Sequence, residues 1–524
     1  MYQRHLLALA VQSVVFLIFA THTFADVPAR ELERLIPRLL PACVRVESGG
    51  NYSSGVVICD DGLVLTVDHG LAGGDSPVTV VTSEGTRLPA IVLYRDKNID
   101  FAILKVQQQD EVATRFSSVK LAPDKASLRR GHMLISVGYP AGTNGDVAVP
   151  RLGKAEAISS DRIRSTCLLT AGDSGGPVFD SVGQLVAINT QIGLGARTNL
   201  HLNVGAIRAM LVEKFDATIE RTTFPQHVTG SNGLVSDAVE QRYRNRRISI
   251  RALKQPTDAP AVSGTLLNKV LAVTKLSLLP PGVEFSTRLR AGIENQAKLV
   301  HRDQRSDLAF LSLKQSTRLA PVSFTSDDRD DLAVGSLVVS GPDFEVAVVG
   351  GVKIEIPRRS PTLGCSVSIL NGKVVTDRVQ PNSASSDAGV QIGDQILQLR
   401  GSDIDSFEDI AAALEPMQPG DVVPFLMMRN GIENIGHGRL RPTANQILSR
   451  TEFLDGRAGL LSHRRSGFTD AIVHDADLSP QEMGSPLLDR NGRLVGINIA
   501  RKSREAVLAV PITRVRAIAQ QIKQ

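Results

Sequence analysis

The stretch that decides the fold is Ala171-Gly-Asp-Ser-Gly-Gly-Pro-Val-Phe-Asp-Ser-Val-Gly-Gln-Leu-Val-Ala-Ile-Asn189, because the chain contains it twice. All of it from Gly175 onward aligns without a gap with Gly484-Ser-Pro-Leu-Leu-Asp-Arg-Asn-Gly-Arg-Leu-Val-Gly-Ile-Asn498. Upstream, Tyr94-Arg-Asp-Lys-Asn-Ile-Asp-Phe-Ala-Ile-Leu104 matches His301-Arg-Asp-Gln-Arg-Ser-Asp-Leu-Ala-Phe-Leu311. Two matched segments in one order make an internal duplication. Around them, short β-rich runs such as Gly55-Val-Val-Ile-Cys59, Leu63-Val-Leu-Thr66 and Val78-Thr-Val-Val-Thr82 alternate with Gly, Asp and Asn turns. That spacing predicts all-β barrels or sandwiches rather than parallel α/β units.

The copies differ in length. Asp100 to Gly175 spans 75 residues and Asp307 to Gly484 spans 177, so about 100 residues have entered the second copy. The inserted stretch carries Pro361-Thr-Leu-Gly-Cys-Ser-Val367, then Asp387-Ala-Gly-Val-Gln-Ile-Gly-Asp394, then a short helix predicted over 406–414 behind Ser406 as N-cap. Asp216 to Arg247 lacks strand patterning and reads as a linker with a short basic helix, its arginines a solvated face. The expected organisation is a leader over 1–25, a first domain over 26–220, a linker over 221–248, a second domain over 249–358 and 443–524, and the inserted domain over 359–442.

A chain of 524 residues has room for two to four domains. An apolar share of 42% and a charged share of 22% are ordinary for globular proteins and exclude collagen, coiled coil and disorder. Trp is absent and aromatics make 4%, so stacking platforms for single-stranded nucleic acid are excluded. The net charge of +5 is small for this length and implies no nucleic-acid partner. Met1 to Ala25 has Arg4, an apolar run from Leu6 to Ala20, and Thr23-Phe-Ala25 before Asp26. This predicts a cleaved secretory signal, hence a secreted or periplasmic protein with no membrane span after cleavage.

The chemistry centres on Ser174. A serine hydroxyl is a weak nucleophile and needs a base, a group to orient that base, and donors for the developing oxyanion. Gly172 and Gly175 flank the serine, letting the chain curl until the Gly172 and Ser174 amides converge. His69, at the end of the predicted strand Leu65-Thr-Val-Asp-His, is the candidate base, and Asp100 the candidate orienter. Singly, His69 reads as a strand-end histidine and Asp100 as a turn residue; in the order His, Asp, Ser they read as a catalytic set. Strand alternation points the neighbouring Asp68 away from His69. In the second copy the acid survives as Asp307, but the base position falls on Leu276 or Ser277 and the serine position on Met483. That copy is expected to fold and to be catalytically dead. No metal cluster or nucleotide loop is present in the sequence, so no cofactor is expected.

These motifs resemble the trypsin-like (chymotrypsin-fold) serine proteases, and within them the HtrA/DegP family of exported proteases with PDZ domains, over residues 40–215 and more weakly 249–524. The inserted stretch resembles a PDZ domain. The resemblance implies a mainly β fold, with two tandem chymotrypsin-like double β-barrel domains and an inserted α+β PDZ-like domain. It implies catalytic His69, Asp100 and Ser174, an oxyanion hole from the Gly172 and Ser174 amides, and Thr190 as a hydroxyl near the catalytic acid. It further implies protein or peptide substrates, misfolded chains among them, and a homo-oligomer as an open question. Leu168, six residues before Ser174, with Gln191 and Ile192 on the substrate strand, gives an uncharged, narrowed pocket for small or aliphatic side chains. Leu363 and Gly364 would meet a peptide terminus in the PDZ-like groove. The rival reading is a non-enzymatic peptide-binding or chaperone scaffold.

The four cysteines, Cys43, Cys59, Cys167 and Cys365, have neither disulfide-scaffold nor zinc spacing. A hairpin turning near Asn51 would put Cys43 opposite Cys59, where an exported protein could oxidise the pair; two buried free thiols are the equal alternative.

Overall fold

The computed structural model describes residues 26–74, 76–107, 115–123, 128–141, 146–193, 195, 197–215, 217, 234–253, 261–280, 284–289, 292–317, 331–443, 455–456 and 459–522. The predicted leader and residues 221–233 of the predicted linker lie outside the described residues. The strands close into four six-stranded antiparallel barrels. The first runs from Cys43–Ser48 to Phe101–Val106, the second from Met133–Gly138 to Asn199–Asn203 and the third from Arg247–Ala252 to Leu308–Leu313. The fourth begins with Leu337–Ser340 and Glu345–Ile356 and resumes only at Phe468–His474, so the inserted domain hangs between two of its neighbouring strands. The architecture is the mainly β one anticipated, with two tandem pairs of barrels.

Period-2 alternation builds each pair. In the first barrel Val44, Val46, Val57, Val64 and Leu104 fill the barrel interior. Their strand neighbours Cys43, Val56, Ile58, Leu65 and Ile103 point the other way and pack with Ile135, Val137, Phe179 and Ile188 of the second barrel. The barrels of a pair are therefore joined through a shared core.

The inserted domain is a sheet with Cys365–Leu370 at one edge and Ile432–Arg439 at the other, around a core of Val374, Ile396, Val423 and Phe425. Its helix Phe407–Leu414 starts with a capping box: the Asp409 amide donates to Ser406 Oγ at 3.2 Å and the Ser406 amide to Asp409 Oδ2 at 2.9 Å. The domain is anchored by Arg439, whose Nη1 donates to the carbonyls of Gly420 and Ser277, and by Asp421, paired with Arg464 at 2.8 Å.

The two barrel pairs are not beads on a string. The helix Asp26–Leu39 buries Leu32 and Ile36 in one core with first-pair residues and with Leu337 and Val348 of the fourth barrel. Its Glu33 accepts the Leu337 amide and pairs with Arg490. The strands Val149–Ile158 and Glu345–Ile356 lie side by side, and buried Asp475 accepts amides from both, Leu152 at 2.6 Å and Val348 at 2.7 Å.

One expectation is corrected. Cys43 faces Val56, not Cys59, because the hairpin turns at Gly49-Gly50 with Ser48 opposite Asn51. Both glycines have positive φ, 59° and 82°, as a two-residue primed turn requires. All four cysteines are free thiols. Within the expected linker, Asp237–Arg246 forms a short helix whose Val239 and Tyr243 enter the second pair's core, and the third barrel begins at Arg247.

Candidate active site

His69 and Asp100 arrive from the ends of adjacent strands, Leu63–Thr66 and Phe101–Val106, which pair with Thr66 opposite Ala102. Asp100 sits in the left-handed region at φ 63°, a conformation Asp tolerates better than most residues. That turn aims its carboxylate back at the histidine. Asp100 Oδ1 accepts the His69 amide at 3.0 Å, and His69 Nδ1 lies 2.8 Å from Oδ2. With Nδ1–H donating to the carboxylate, the tautomer leaves Nε2 bare to accept a proton. The hydrogen bond to Asp100 outweighs burial and raises the His69 pKa above its ordinary value. Burial works to raise the Asp100 pKa, and its bonds to His69 overcome this and hold it low. Asp68 does point away: it pairs with Arg95, which also bonds the carbonyls of Asp68, Leu71 and Ala72 and so pins the turn carrying His69.

Ser174 comes from the other barrel, just before the strand Pro177–Asp180. Its carbonyl accepts the Ser54 amide at 2.8 Å, fastening the loop to the strand beside the one that ends in His69. Two glycines are obligatory here. Gly172 (φ 92°) and Gly175 (φ 86°) would place a Cβ 2.3 Å from the Tyr139 carbonyl and 2.1 Å from the Ser54 carbonyl. The Ala171 carbonyl is tied to the Ala141 amide at 2.8 Å, and because a trans peptide opposes its C=O and N–H, the Gly172 amide faces the other side. The amides of Asp173, Gly175 and Gly176 donate to Thr170, Asn189 and Asp173 carbonyls. Among the described residues, those of Gly172 and Ser174 donate to no protein acceptor. Two uncommitted donors flanking one side chain form a site for an oxyanion. The remaining link, His69 Nε2 to Ser174 Oγ, is not closed as a hydrogen bond among the described residues, a common looseness in unliganded sites.

The other candidates divide. Leu168 is buried; Gln191 is exposed and Ile192 half-buried at the strand end. The Thr190 hydroxyl donates to the Leu200 carbonyl at 3.1 Å, so it does not serve Asp100 as the resemblance implied. In the inserted domain the Gly364 amide is spent on Thr362 Oγ1 at 3.1 Å, which takes it out of a carboxylate-binding role; the Leu363 amide has no such partner among the described residues. No group of three or more His, Cys, Asp or Glu side chains converges as metal ligands would among the described residues. No described helix is long and apolar enough to cross a membrane.

Sequence reading missed the scaffold under the loop. Ser54 Oγ donates to the Gly172 carbonyl at 2.7 Å and accepts the Tyr139 amide. Asn189 Nδ2 holds the Asp173 carbonyl, and buried His201 bridges Asn189 and Ser165. Burial lowers the His201 pKa to about 3, so this imidazole stays neutral. The recurrence of Asn189 as Asn498 in the matched segments was the available signal.

Comparison with known proteins follows the same division. The model of the trypsin-like peptidase domain matches residues 53–188, and that of the PDZ domain matches 361–434. A protein of Bartonella henselae described as a probable periplasmic serine endoprotease DegP-like is 25% identical over 73% of each chain. A protein of Brucella suis with the same description is 35% identical over 26% of this chain and 27% of its own. One from Pseudomonas putida is 23% identical over 74% of this chain and 78% of its own. A solved serine endoprotease of Yersinia pestis covers 79% of this chain and 97% of its own at 14% identity, with a TM-score of 0.31, too low to speak for the arrangement of domains.

Proposed function

Because the chain belongs to the HtrA/DegP family of trypsin-like serine proteases, we propose that Ser174, His69 and Asp100 cut peptide bonds through an acyl-enzyme. The protein is a serine endopeptidase, and its relatives' descriptions place it in the periplasm. In the proposed mechanism Ser174 Oγ adds to the scissile carbonyl carbon while its proton passes to His69 Nε2. The carbonyl oxygen becomes an oxyanion between the Gly172 and Ser174 amides. Collapse expels the amine, which takes the proton from His69, and leaves the ester. Water then repeats the sequence, its proton going to His69 and its oxygen to the acyl group, and Ser174 is restored.

The observation that carries this reading is the contrast in the loop 172–176, where among the described residues only the Gly172 and Ser174 amides are left without an acceptor, beside a His69–Asp100 pair in the base-forming tautomer. The buried Leu168 and half-buried Ile192 support a preference for small or aliphatic side chains before the cut. The Cys365–Leu370 edge strand supports peptide docking by strand addition on the inserted domain, and protein or peptide substrates follow. Labelling with a fluorophosphonate probe and locating the adduct by mass spectrometry is the test. An adduct on Ser174 and loss of casein hydrolysis in Ser174→Ala are expected. A folded wild-type protein that never labels would return the reading to the scaffold alternative.

A further inference from the structure

We propose that Arg151 is a positioning residue for the oxyanion loop, and that the degenerate barrel pair holds it there, so that the second domain acts as a built-in activator of the first. The inference rests on the serine-protease reading above and concerns what keeps that site formed.

Asp173 lies between the two oxyanion amides in sequence and is wholly buried. One oxygen, Oδ2, accepts the Thr170 amide at 2.8 Å; the other, Oδ1, stands 2.9 Å from Arg151 Nη1. The pair is ionic in distance but off the line of a hydrogen bond. Gly138 makes room for it, since a Cβ there would sit 2.5 Å from Asp173 Oδ1. A buried carboxylate without a counter-charge costs several kcal/mol, and that cost would be relieved by swinging Asp173 out and dragging its two neighbouring amides along. Burial indeed pushes the Asp173 pKa up, to about 6, against the pull of Arg151.

Arg151 is no surface cation. Its side chain is fully buried, on the strand that lies against the fourth barrel. Burial alone would disfavour its charge; Asp173, Glu505 and Asp475 together outweigh this and hold the guanidinium charged. Two of those three carboxylates belong to the degenerate pair. Asp475 also fixes the strand itself through the Leu152 amide, next in sequence to Arg151. A second grip lies just after Ile192: Arg504 donates to the Gly193 carbonyl at 3.2 Å, and Arg197 pairs with Glu345 and Asp477. The second barrel pair thus braces, through Asp475, Arg504 and the Arg197 carboxylates, the strand and the segment that flank the oxyanion loop.

The test is a double-mutant cycle on the full chain, read by probe-labelling rate and by kcat and KM separately. Arg151→Met should lower labelling and kcat about 100-fold, the order of losing an oxyanion donor, with KM little changed. Arg151→Met with Asp173→Asn removes both charges, and should label faster than Arg151→Met alone because no buried carboxylate remains unpaired. Should Arg151→Met not fold, Glu505→Gln, nearly the same shape, should fold and lose several-fold in kcat at unchanged KM. Wild-type labelling rates in folded Arg151→Met and in Glu505→Gln overturn the proposal while leaving the protease reading intact. A wild-type protein that never labels at Ser174 overturns both.

Discussion

The two barrel pairs carry the same backbone device and use it for different ends. Thr274 stands opposite Ala309 as Thr66 does opposite Ala102. The Ser277 amide donates to Asp307 Oδ1 at 2.8 Å as the His69 amide does to Asp100, so Ser277, not Leu276, stands at the base position. Asp307 keeps the same left-handed turn at φ 58°. Gly484 keeps a positive φ of 99°, and a Cβ there would meet the Ser263 carbonyl at 2.3 Å; its amide donates to Asn498 as Gly175 does to Asn189. What has gone is specific. Met483 is buried where Ser174 stands, and its amide is spent on the Pro480 carbonyl in a short 3₁₀ turn. Lys275, where the first copy has Val67, buries its ammonium against Asp307 Oδ2 and the Ile499 and Arg464 carbonyls. Burial pulls the Lys275 pKa down while Asp307 opposes the fall. The lesson is that the glycine, the Asn and the left-handed Asp, kept in both copies, belong to the fold, whereas the free amide, the base and the hydroxyl, kept in one, are what the proposed mechanism needs.

The sharpest way to break this division is paired substitution. Ser174→Ala should cut kcat about 10⁶-fold with the melting curve intact. Met483→Ala should leave the Ser174 label in place and instead cost about 2–5 kcal/mol of stability as a cavity; urea unfolding and casein hydrolysis read the two. Next in size, Asp100→Asn should lose about 10⁴ in kcat by spoiling the tautomer. Asp307→Asn should act on folding, about 3–5 kcal/mol, by stranding buried Lys275. An Asp307→Asn protein of unchanged stability would show that the retained acid is not structural.

The pH profile is a milder probe. Because Asp100 raises the His69 pKa, kcat/KM should climb with pH with a midpoint above 6.5, as the base must be neutral to act. Stability runs the other way. The His69 contribution is complete below its unfolded pKa and fades as pH rises through the raised folded value. The depressed Asp100 contributes above its unfolded pKa and loses that contribution as pH falls through the folded one. A midpoint below 6.5 would mean that Asp100 does not engage His69 in solution.

Two null results complete the comparison. Ser277→His with Met483→Ser should gain no label at 483, since Lys275 still holds Asp307 and the Met483 amide is still committed; a label there would mean that side chains alone were missing. Reductant should leave the melting temperature unmoved, and a fall would revive a disulfide that the Cys43–Val56 register excludes.

Much of this was legible in the sequence because it is written contiguously. The duplication shows in short motifs shared by both copies, the insertion in the longer interval between them in the second copy, and the three chemical positions in the motifs of the first. What escaped depends on contacts between distant segments. Arg151 looks like any strand arginine until the second domain covers it. Ser54 is an unremarked serine until its hydroxyl meets Gly172. Thr190 and Gly364 bear suitable donors, but local acceptors claim them first. The hairpin was misjudged by a small shift of its turn, enough to replace a cysteine by Val56 as the partner of Cys43.

The helix Asp26–Leu39 has a consequence for the order in which the molecule takes shape. It precedes every barrel in the chain, yet its Glu33 is satisfied by the Leu337 amide and Arg490. Contacts so distant in sequence are closed late, because a long loop must be ordered before they repay it. The first barrel pair is therefore expected to reach its final packing only once the far end of the second is in place, a delay between the chain's being made and being finished.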